Sequence, residues 1–281
     1  MSVLIVIVAL LVFFTVFFFI LRPNQNQTLL RKNQAITYDF NQQKIIVEAK
    51  SLEESTDQFW WVSSGGYLIQ KNGVGETIQG DLPLSDPRAK EEAKNNPDET
   101  DGGIHPQNIF RIVTKSTSEN YTEQVSFKIN RLNLSKSKNR DQTNGIHLFN
   151  RYQDQNNLYY TGIRADGYAA IKKKQNGQYY TLAYVPVWTG KYDRTKNPSL
   201  IPVGQWMGLR STVKNTPQGV EIILYLDPHN DGHWQQIASA LDNGKIGGSP
   251  LWDAGHDGIR TDFLDASFDN FIIQELPNNS R

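Results

Sequence analysis

Of all the side chains in this sequence, His147, Arg151 and Tyr160 are the ones whose types and spacing could do chemistry. An imidazole or a phenol can carry a proton, and a guanidinium can neutralise a carboxylate while the proton moves. Even spacing puts His147 and Arg151 on one face of an extended strand, and Tyr160 falls on the next strand of the pattern. The same arginine and tyrosine also read as cross-strand partners in a half-exposed sheet, which asks for no chemistry, and this plainer reading is preferred. A second grouping suits recognition. Tyr160 and Arg164 alternate on one face, Lys172 lies on the following strand, and Trp188 and Trp252 sit in loops rich in glycine and proline that could overhang the sheet. Flat rings beside planar hydrogen-bonding groups suit a ligand with an apolar face and hydroxyl edges. Trp60, Trp61 and Trp206 lie beside apolar strand-like runs and read as packing residues.

The acids are scattered. Glu48, Glu76, Glu123 and Glu221 each stand alone in a strand-like run, and the pairs Glu53-Glu54 and Glu91-Glu92 lie in polar stretches expected to be exposed. A two-carboxylate centre would have to converge from distant strands. Residues 227–232 open like a calcium loop, with acids at the first and fifth places and glycine sixth, but the twelfth place is Ala238 where a bidentate glutamate is needed. A hairpin turn is the better expectation there. His229 and His233 have the spacing of a helical zinc pair, yet turn sequence separates them. Cysteine is absent, which excludes disulfides and thiolate ligands. Lysine plus arginine equals aspartate plus glutamate, 29 against 29, so no global positive field favours nucleic acid, and a neutral ligand is the easier expectation. Lys172, Lys173 and Lys174 read as a solvated strand end.

The elements that must position these groups are strands. Residues 144–183 hold four β-rich runs punctuated by Gln153 to Asn157, Ala165-Asp166-Gly167 and Gln175-Asn176-Gly177, the pattern of an antiparallel meander. Residues 45–49, 67–71 and 77–79 are short strand candidates, with Gly65-Gly66 and Asn72-Gly73 as turns. Residues 109–114 and 121–130 are expected to pair, the second turning Val125, Phe127 and Ile129 to one face. Two further strands, 207–213 and 220–227, precede a closing strand at 267–276. That last strand alternates Phe268, Asn270 and Ile272 against Asp269, Phe271 and Ile273, as suits a strand near the middle of a sheet. Two long excursions interrupt the series, 82–105 with a charged helical stretch at 88–94, and 185–201.

In the order of its pieces the chain resembles the concanavalin A-like lectin and glucanase superfamily. The pieces are Phe149, Arg151 and Tyr152 on one strand, a Tyr159-Tyr160 strand, a lysine-rich strand, Trp206-Met207-Gly208-Leu209-Arg210, the run 220–227, the run 255–263 and a closing Phe268-Asp269-Asn270-Phe271. The resemblance covers roughly residues 40–276 and implies an all-β fold, an antiparallel two-sheet jelly-roll sandwich, with carbohydrate as ligand class. The glucanase branch carries Glu-x-Asp-x-x-Glu on one strand, because retaining hydrolysis needs two carboxyls about 5 Å apart. No such run is present here. A polysaccharide-binding domain without catalysis is therefore the favoured reading, built on Arg151, Tyr160, Arg164, Lys172, Trp188 and Trp252. The alternatives are a polysaccharide lyase using His147, Arg151 and Tyr160, a glycoside hydrolase, or a protein-binding adhesion module. No cofactor is required. The superfamily leaves room for a structural calcium, to which Asp262, Asp265 and Asp269 could contribute, Asp269 being the residue chosen.

Residues 3–21 are apolar apart from Thr15, and at about 1.5 Å per residue such a helix crosses a hydrocarbon core of roughly 30 Å. Leu21-Arg22-Pro23 supplies no small-residue cleavage site, so an uncleaved anchor is expected. Residues 1–22 then form a transmembrane anchor, 23–35 a polar linker, 36–276 the sandwich and 277–281 a tail. Arg22, Arg31 and Lys32 would by the positive-inside rule hold the domain in the cytoplasm. Set against the fold, three charges are a weak bias, and the expectation is a single-pass membrane protein with an extracytoplasmic domain.

Overall fold

Alternation of apolar and polar side chains along the strands dictates two sheets with their apolar sides together. The computed structural model describes residues 35–277. The strands are β1 (Ile36–Tyr38), β2 (Lys44–Val47), β3 (Trp60–Ser64), β4 (Tyr67–Lys71), β5 (Val74–Glu76), β6 (Ile109–Ser118), β7 (Tyr121–Leu132) and β8 (Gly145–Asp154). They continue as β9 (Asn157–Arg164), β10 (Tyr168–Gln175), β11 (Gln178–Pro186), β12 (Trp206–Thr216), β13 (Gly219–Asp227), β14 (Gln235–Asp242), β15 (Gly255–Asp262) and β16 (Leu264–Glu275). One sheet has nine strands in the order β14-β13-β12-β7-β16-β5-β4-β2, with β1 also on β16; the other has seven in the order β11-β10-β9-β8-β15-β6-β3. A helix, α1 (Pro87–Asn95), occupies the first excursion, its N-terminus capped by Asp86 accepting from the Arg88 amide at 2.7 Å. The segment 3–21, the start of the linker and the last residues of the tail lie outside the described residues. Among the described residues no helix is long and apolar enough to cross a membrane.

The core lies between the sheets. From the nine-stranded sheet come Val125, Phe127, Ile129, Leu209, Ile222 and Phe268, and from the seven-stranded sheet Trp60, Ile112, Ile146, Leu148, Tyr159, Ile171 and Ile259, all essentially excluded from solvent. The meander forms as its turns require, β8 to β11 pairing in sequence. Residues 109–114 and 121–130, in contrast, do not pair. β6 lies beside β15 and β3 in one sheet and β7 between β12 and β16 in the other, so the chain crosses the sandwich after Ser118. Strands adjacent in sequence need not be neighbours, and crossing lets both bury an apolar face in the same core. Residues 77–79 are not a strand; the pairing after Asn72-Gly73 is taken by β5. In β16 the alternation breaks at Asn270, whose φ of 50° makes a bulge between Asp269 and Ile272. The extra residue lets Phe268, Phe271 and Ile273 all reach the core.

Two polar networks are sealed into this core. In the first, Glu123 accepts from Asn150 Nδ2 at 2.8 Å and from the Gly258 amide at 3.0 Å, and Asn150 also reaches Ser211 and Thr161. Asp257 accepts from Ser118 Oγ at 2.7 Å and from the Tyr121 hydroxyl, while its Oδ1 has no partner. Burial, and then the negative charge of Asp257, push the Glu123 carboxyl well up; burial pushes Asp257 up to about 7. In the second network the Lys173 ammonium lies 2.8 Å from Asp242 Oδ2, which also accepts from the Tyr159 hydroxyl at 2.7 Å. Lys173 is 0% exposed, so only its neighbours Lys172 and Lys174 fit the solvated strand end that the triple lysine suggested.

Candidate functional site

The pleat that buries Ile146, Leu148, Tyr159, Ile163 and Ile259 must turn the alternate residues of β6, β8, β9, β10 and β15 to the other side of the seven-stranded sheet. On that outer face the register aligns two cross-strand rows. One runs Val113, Gly258, Phe149, Tyr160, Lys172, and the next runs Arg111, Arg260, His147, Gly162, Ala170, Tyr184. The first row is largely apolar: Val113, Phe149, Tyr152, Leu158 and Tyr160 form a second cluster against which Trp61 packs. The second is cationic at one end and aromatic at the other, with two small residues between.

Tyr160 is the hinge between the rows. Its ring meets Phe149 edge-on at 5.1 Å, lies 6.4 Å from the His147 ring and 5.7 Å from Tyr179, and carries the Arg260 guanidinium at 5.6 Å. Arg260 is forked onto Asp262, Nη2 to Oδ1 at 2.8 Å and Nε to Oδ2 at 3.1 Å. Arg164 is forked in the same way onto Asp166, 2.7 Å at the closest, with the Tyr184 ring 4.7 Å away. Tyr184 stacks on Tyr168 at 4.1 Å and donates to Asp166 at 2.8 Å. The hydroxyls differ. Burial raises that of Tyr160, whereas burial of Tyr179 is outweighed by the Arg260 charge, its hydrogen bond with Tyr160 and Lys174, so that its net shift is downward. Burial depresses the His147 imidazole to about 3, opposed by Asp262 and reinforced by Arg260, Lys172 and Arg164, so the ring is neutral at pH 7.

His147 leans across Gly162. A Cβ at Gly162 would stand 2.6 Å from His147 Nδ1 and closer still to the Ile146 carbonyl. Gly162→Ala is therefore expected to displace the imidazole and to cost about 1–3 kcal/mol, read as a lowered midpoint in urea together with a shifted His147 ring resonance.

The structure brings His147, Tyr160, Arg164 and Lys172 to this face, but not Arg151. The β8–β9 register breaks between Asn150 and Asp154, and Arg151 has a φ of 51°, so the parity that was to align it with His147 is lost. Its guanidinium is 0% exposed and donates to the carbonyls of Glu119, Leu251 and Trp252 and to Asn215 Oδ1, which makes it a clasp between two loops and the end of β12 rather than a ligand or catalytic group. Trp188 and Trp252 also fall elsewhere. Both pack against the main core, the segment at Trp188 being drawn in by amides of Val187 and Trp188 that donate to the Gly167 carbonyl. Asp262 is held by Arg260. Asp265 is held by Arg131, Gln107, Asn133 and the Gly80 amide, and Asp269 caps the bulge through the Asn270 amide at 2.7 Å. Asp227 accepts from the amides of Asp231 and Gly232, closing the expected turn. Among the described residues no three metal-ligating side chains stand together.

Arg111, Arg260, Tyr179 and Tyr184 are the face residues that sequence reasoning missed. One signal was available: Arg164-Ala-Asp166 and Arg260-Thr-Asp262 share a spacing of two, which within β15 puts Arg260 and Asp262 on one face, while Asp166 meets Arg164 from the β9–β10 turn. Arg111 carried no such signal, because only the pairing of β6 with β15 brings it beside Arg260.

No protein-family model matches the chain, and no curated protein does. Solved structures do. The winged bean acidic lectin, solved with methyl-α-D-galactose, superposes with a TM-score of 0.50 at 9% identity, over 86% of this chain and 97% of that one. A carbohydrate-binding module from Bacillus subtilis gives 0.48 at 14% identity over 77% and 95% of the two chains. A β-1,3-1,4-glucanase from a mouse hindgut metagenome gives 0.46 at 12% identity over 86% and 100%. At such identities the likeness is one of fold. The described residues form an antiparallel two-sheet sandwich, a fold shared with the winged bean lectin.

Proposed function

We propose that this chain is a lectin-like carbohydrate-binding protein whose ligand lies on the outer face of the seven-stranded sheet. The observation that carries the reading is the juxtaposition of Tyr160, Tyr179 and Tyr184 with the forked Arg260–Asp262 and Arg164–Asp166 pairs across neighbouring strands. A pyranose offers an apolar C–H face to such rings and hydroxyls to such pairs, and the pairs are already oriented by their own hydrogen bonds. Tyr179 and Tyr184 are 52% and 44% exposed, the accessible aromatic surface of the site. The sugar complex of the winged bean lectin belongs to that protein, and here it agrees with the class of ligand the rings suggest. The two carboxylates on the face, Asp262 and Asp166, are each engaged by an arginine, which favours binding over the acid–base pair of a hydrolase. The apolar run at residues 3–21 supports a membrane tether; the extracytoplasmic side rests on the lectin-like reading of the domain, against the bias of Arg22, Arg31 and Lys32.

The test is titration of the full chain against a panel of polysaccharides. Tyr179→Ala is expected to weaken the best ligand about five- to thirty-fold, since one stacked ring contributes about 1–2 kcal/mol, while leaving thermal stability nearly unchanged because the ring is half exposed. Equal affinity in the variant would remove this face from the role. A second reading, eliminative cleavage of a uronate chain, draws on the neutral His147 beside Arg260; release of unsaturated ends would establish it, and their absence with binding intact would leave the lectin reading.

A further inference from the structure

Chain-wide neutrality made a neutral ligand the easier expectation, but the outer face is not neutral. Arg111, Arg260, Arg164, Lys172 and Lys174 stand on it against Asp262 and Asp166, with Asp141 acting on Lys172 from the loop before β8. The imbalance is sharpest at Arg111. It faces Arg260 across the β6–β15 pair, no carboxylate makes a salt bridge to it among the described residues, and its Nε is buried without a hydrogen-bond partner. One strand further along the same row, His147 is 7% exposed and its Nδ1 is likewise buried without a partner. Arg111, beside an arginine whose charge is already balanced by Asp262, leaves a place that an anion would complete, whereas the His147 Nδ1 stands two strands away over Gly162. A buried cation without a counter-charge is costly, and a bound anion removes that cost. Burial and then the like charge of Arg260 lower the Arg111 pKa, as expected for a guanidinium held in that state.

We infer that the site takes an acidic saccharide, a uronate unit whose carboxylate sits against Arg111 at the Arg111–Arg260–His147 end of the row while its ring extends toward Tyr160 and the tyrosines of β11. This rests on the carbohydrate reading above and narrows it. A guanidinium offers two parallel N–H groups to the two oxygens of a carboxylate, which makes the planar acid the best match for the free fork of Arg111.

The full chain is titrated with polygalacturonate, the same polymer fully methyl-esterified, dextran and dextran sulfate. Polygalacturonate is expected to bind at least about tenfold more tightly than its ester, and its affinity to fall as salt is raised. Arg111→Gln should lower affinity for the acid about tenfold or more and affinity for the ester much less; should that variant fail to fold, Lys172→Gln on the half-exposed strand surface is expected to weaken the acid selectively. Equal binding of acid and ester, or binding of dextran alone, overturns the inference and leaves the carbohydrate reading standing. Binding of dextran sulfate without polygalacturonate overturns the carboxylate assignment in favour of a sulfate ester. Binding of none of the four overturns both.

Discussion

Lys173→Met is expected to lower the free energy of unfolding by about 3–5 kcal/mol, the usual cost of leaving a buried charge without its partner. The ammonium of Lys173 is held by Asp242 at 2.8 Å and by the Gly248 carbonyl at 2.8 Å, and the carboxylate it would abandon is 1% exposed. Tyr159 and the Gly244 amide still donate to Asp242 in the variant, but hydrogen bonds to a buried carboxylate do not remove its charge. Urea titration followed by tryptophan fluorescence reads the loss, and Lys173→Met/Asp242→Asn should recover at least about 1 kcal/mol of it, because the two changes are coupled. A loss below about 0.5 kcal/mol, the normal range for a surface lysine, would mean that the triple lysine is solvated after all.

The second large effect is a dependence of stability on pH that comes from the core. Burial raises the Asp257 carboxyl from its ordinary value to about 7, and burial together with Asp257 raises Glu123. An acid whose folded pKa is raised binds its proton more tightly in the native state than in the unfolded one. Its stabilising contribution is therefore complete below about pH 4 and is lost as pH rises from about 4 through 7. Across that window these two groups are expected to lower stability by a few kcal/mol, opposite in sign to the usual behaviour of salt-bridged carboxylates. Asp257→Asn isolates the contribution. The amide oxygen can still accept from Ser118 and Tyr121, no charge remains to be desolvated, and the unpartnered Oδ1 shows that the second position of the carboxylate makes no bond to lose. The variant is expected to be more stable than the parent at pH 8, with a flatter profile of melting temperature between pH 4 and 8. A parental profile that rises over the same range and is unchanged by the substitution would place the titrating carboxylates elsewhere.

Both effects arise where strand-level reasoning could not see. Lys173 alternates correctly with Ile171 and faces the core side of β10, but its neighbours in sequence are two more lysines, and a run of like charge reads as solvated until a counter-charge is found 69 residues away. Glu123 is isolated in its own strand, and the acid that couples to it lies on β15 in the other sheet. The convergence of two carboxylates from distant strands does occur, but inside the sandwich, where no substrate groove lies.

Local order was legible in the sequence because it depends on neighbours along the chain: the meander and its glycine turns, the apolar faces of β7 and β12, the helical stretch before Asn95 and the turn closed by Asp227. The order of those pieces was enough to indicate an antiparallel two-sheet sandwich, since half-buried strands have few other ways to cover one face. Tertiary structure alone decided which alternation held. A single left-handed residue at Arg151 moved a proposed ligand into the interior, another at Asn270 brought both phenylalanines of β16 inward, and the crossing after Ser118 put Arg111 beside Arg260. A period of two is exact only while the register is unbroken, and one bulge reverses every side chain beyond it. For the same reason a chain of zero net charge carries a cationic face: composition sums over the whole molecule, whereas a ligand meets only the residues that pairing gathers on one side of a sheet.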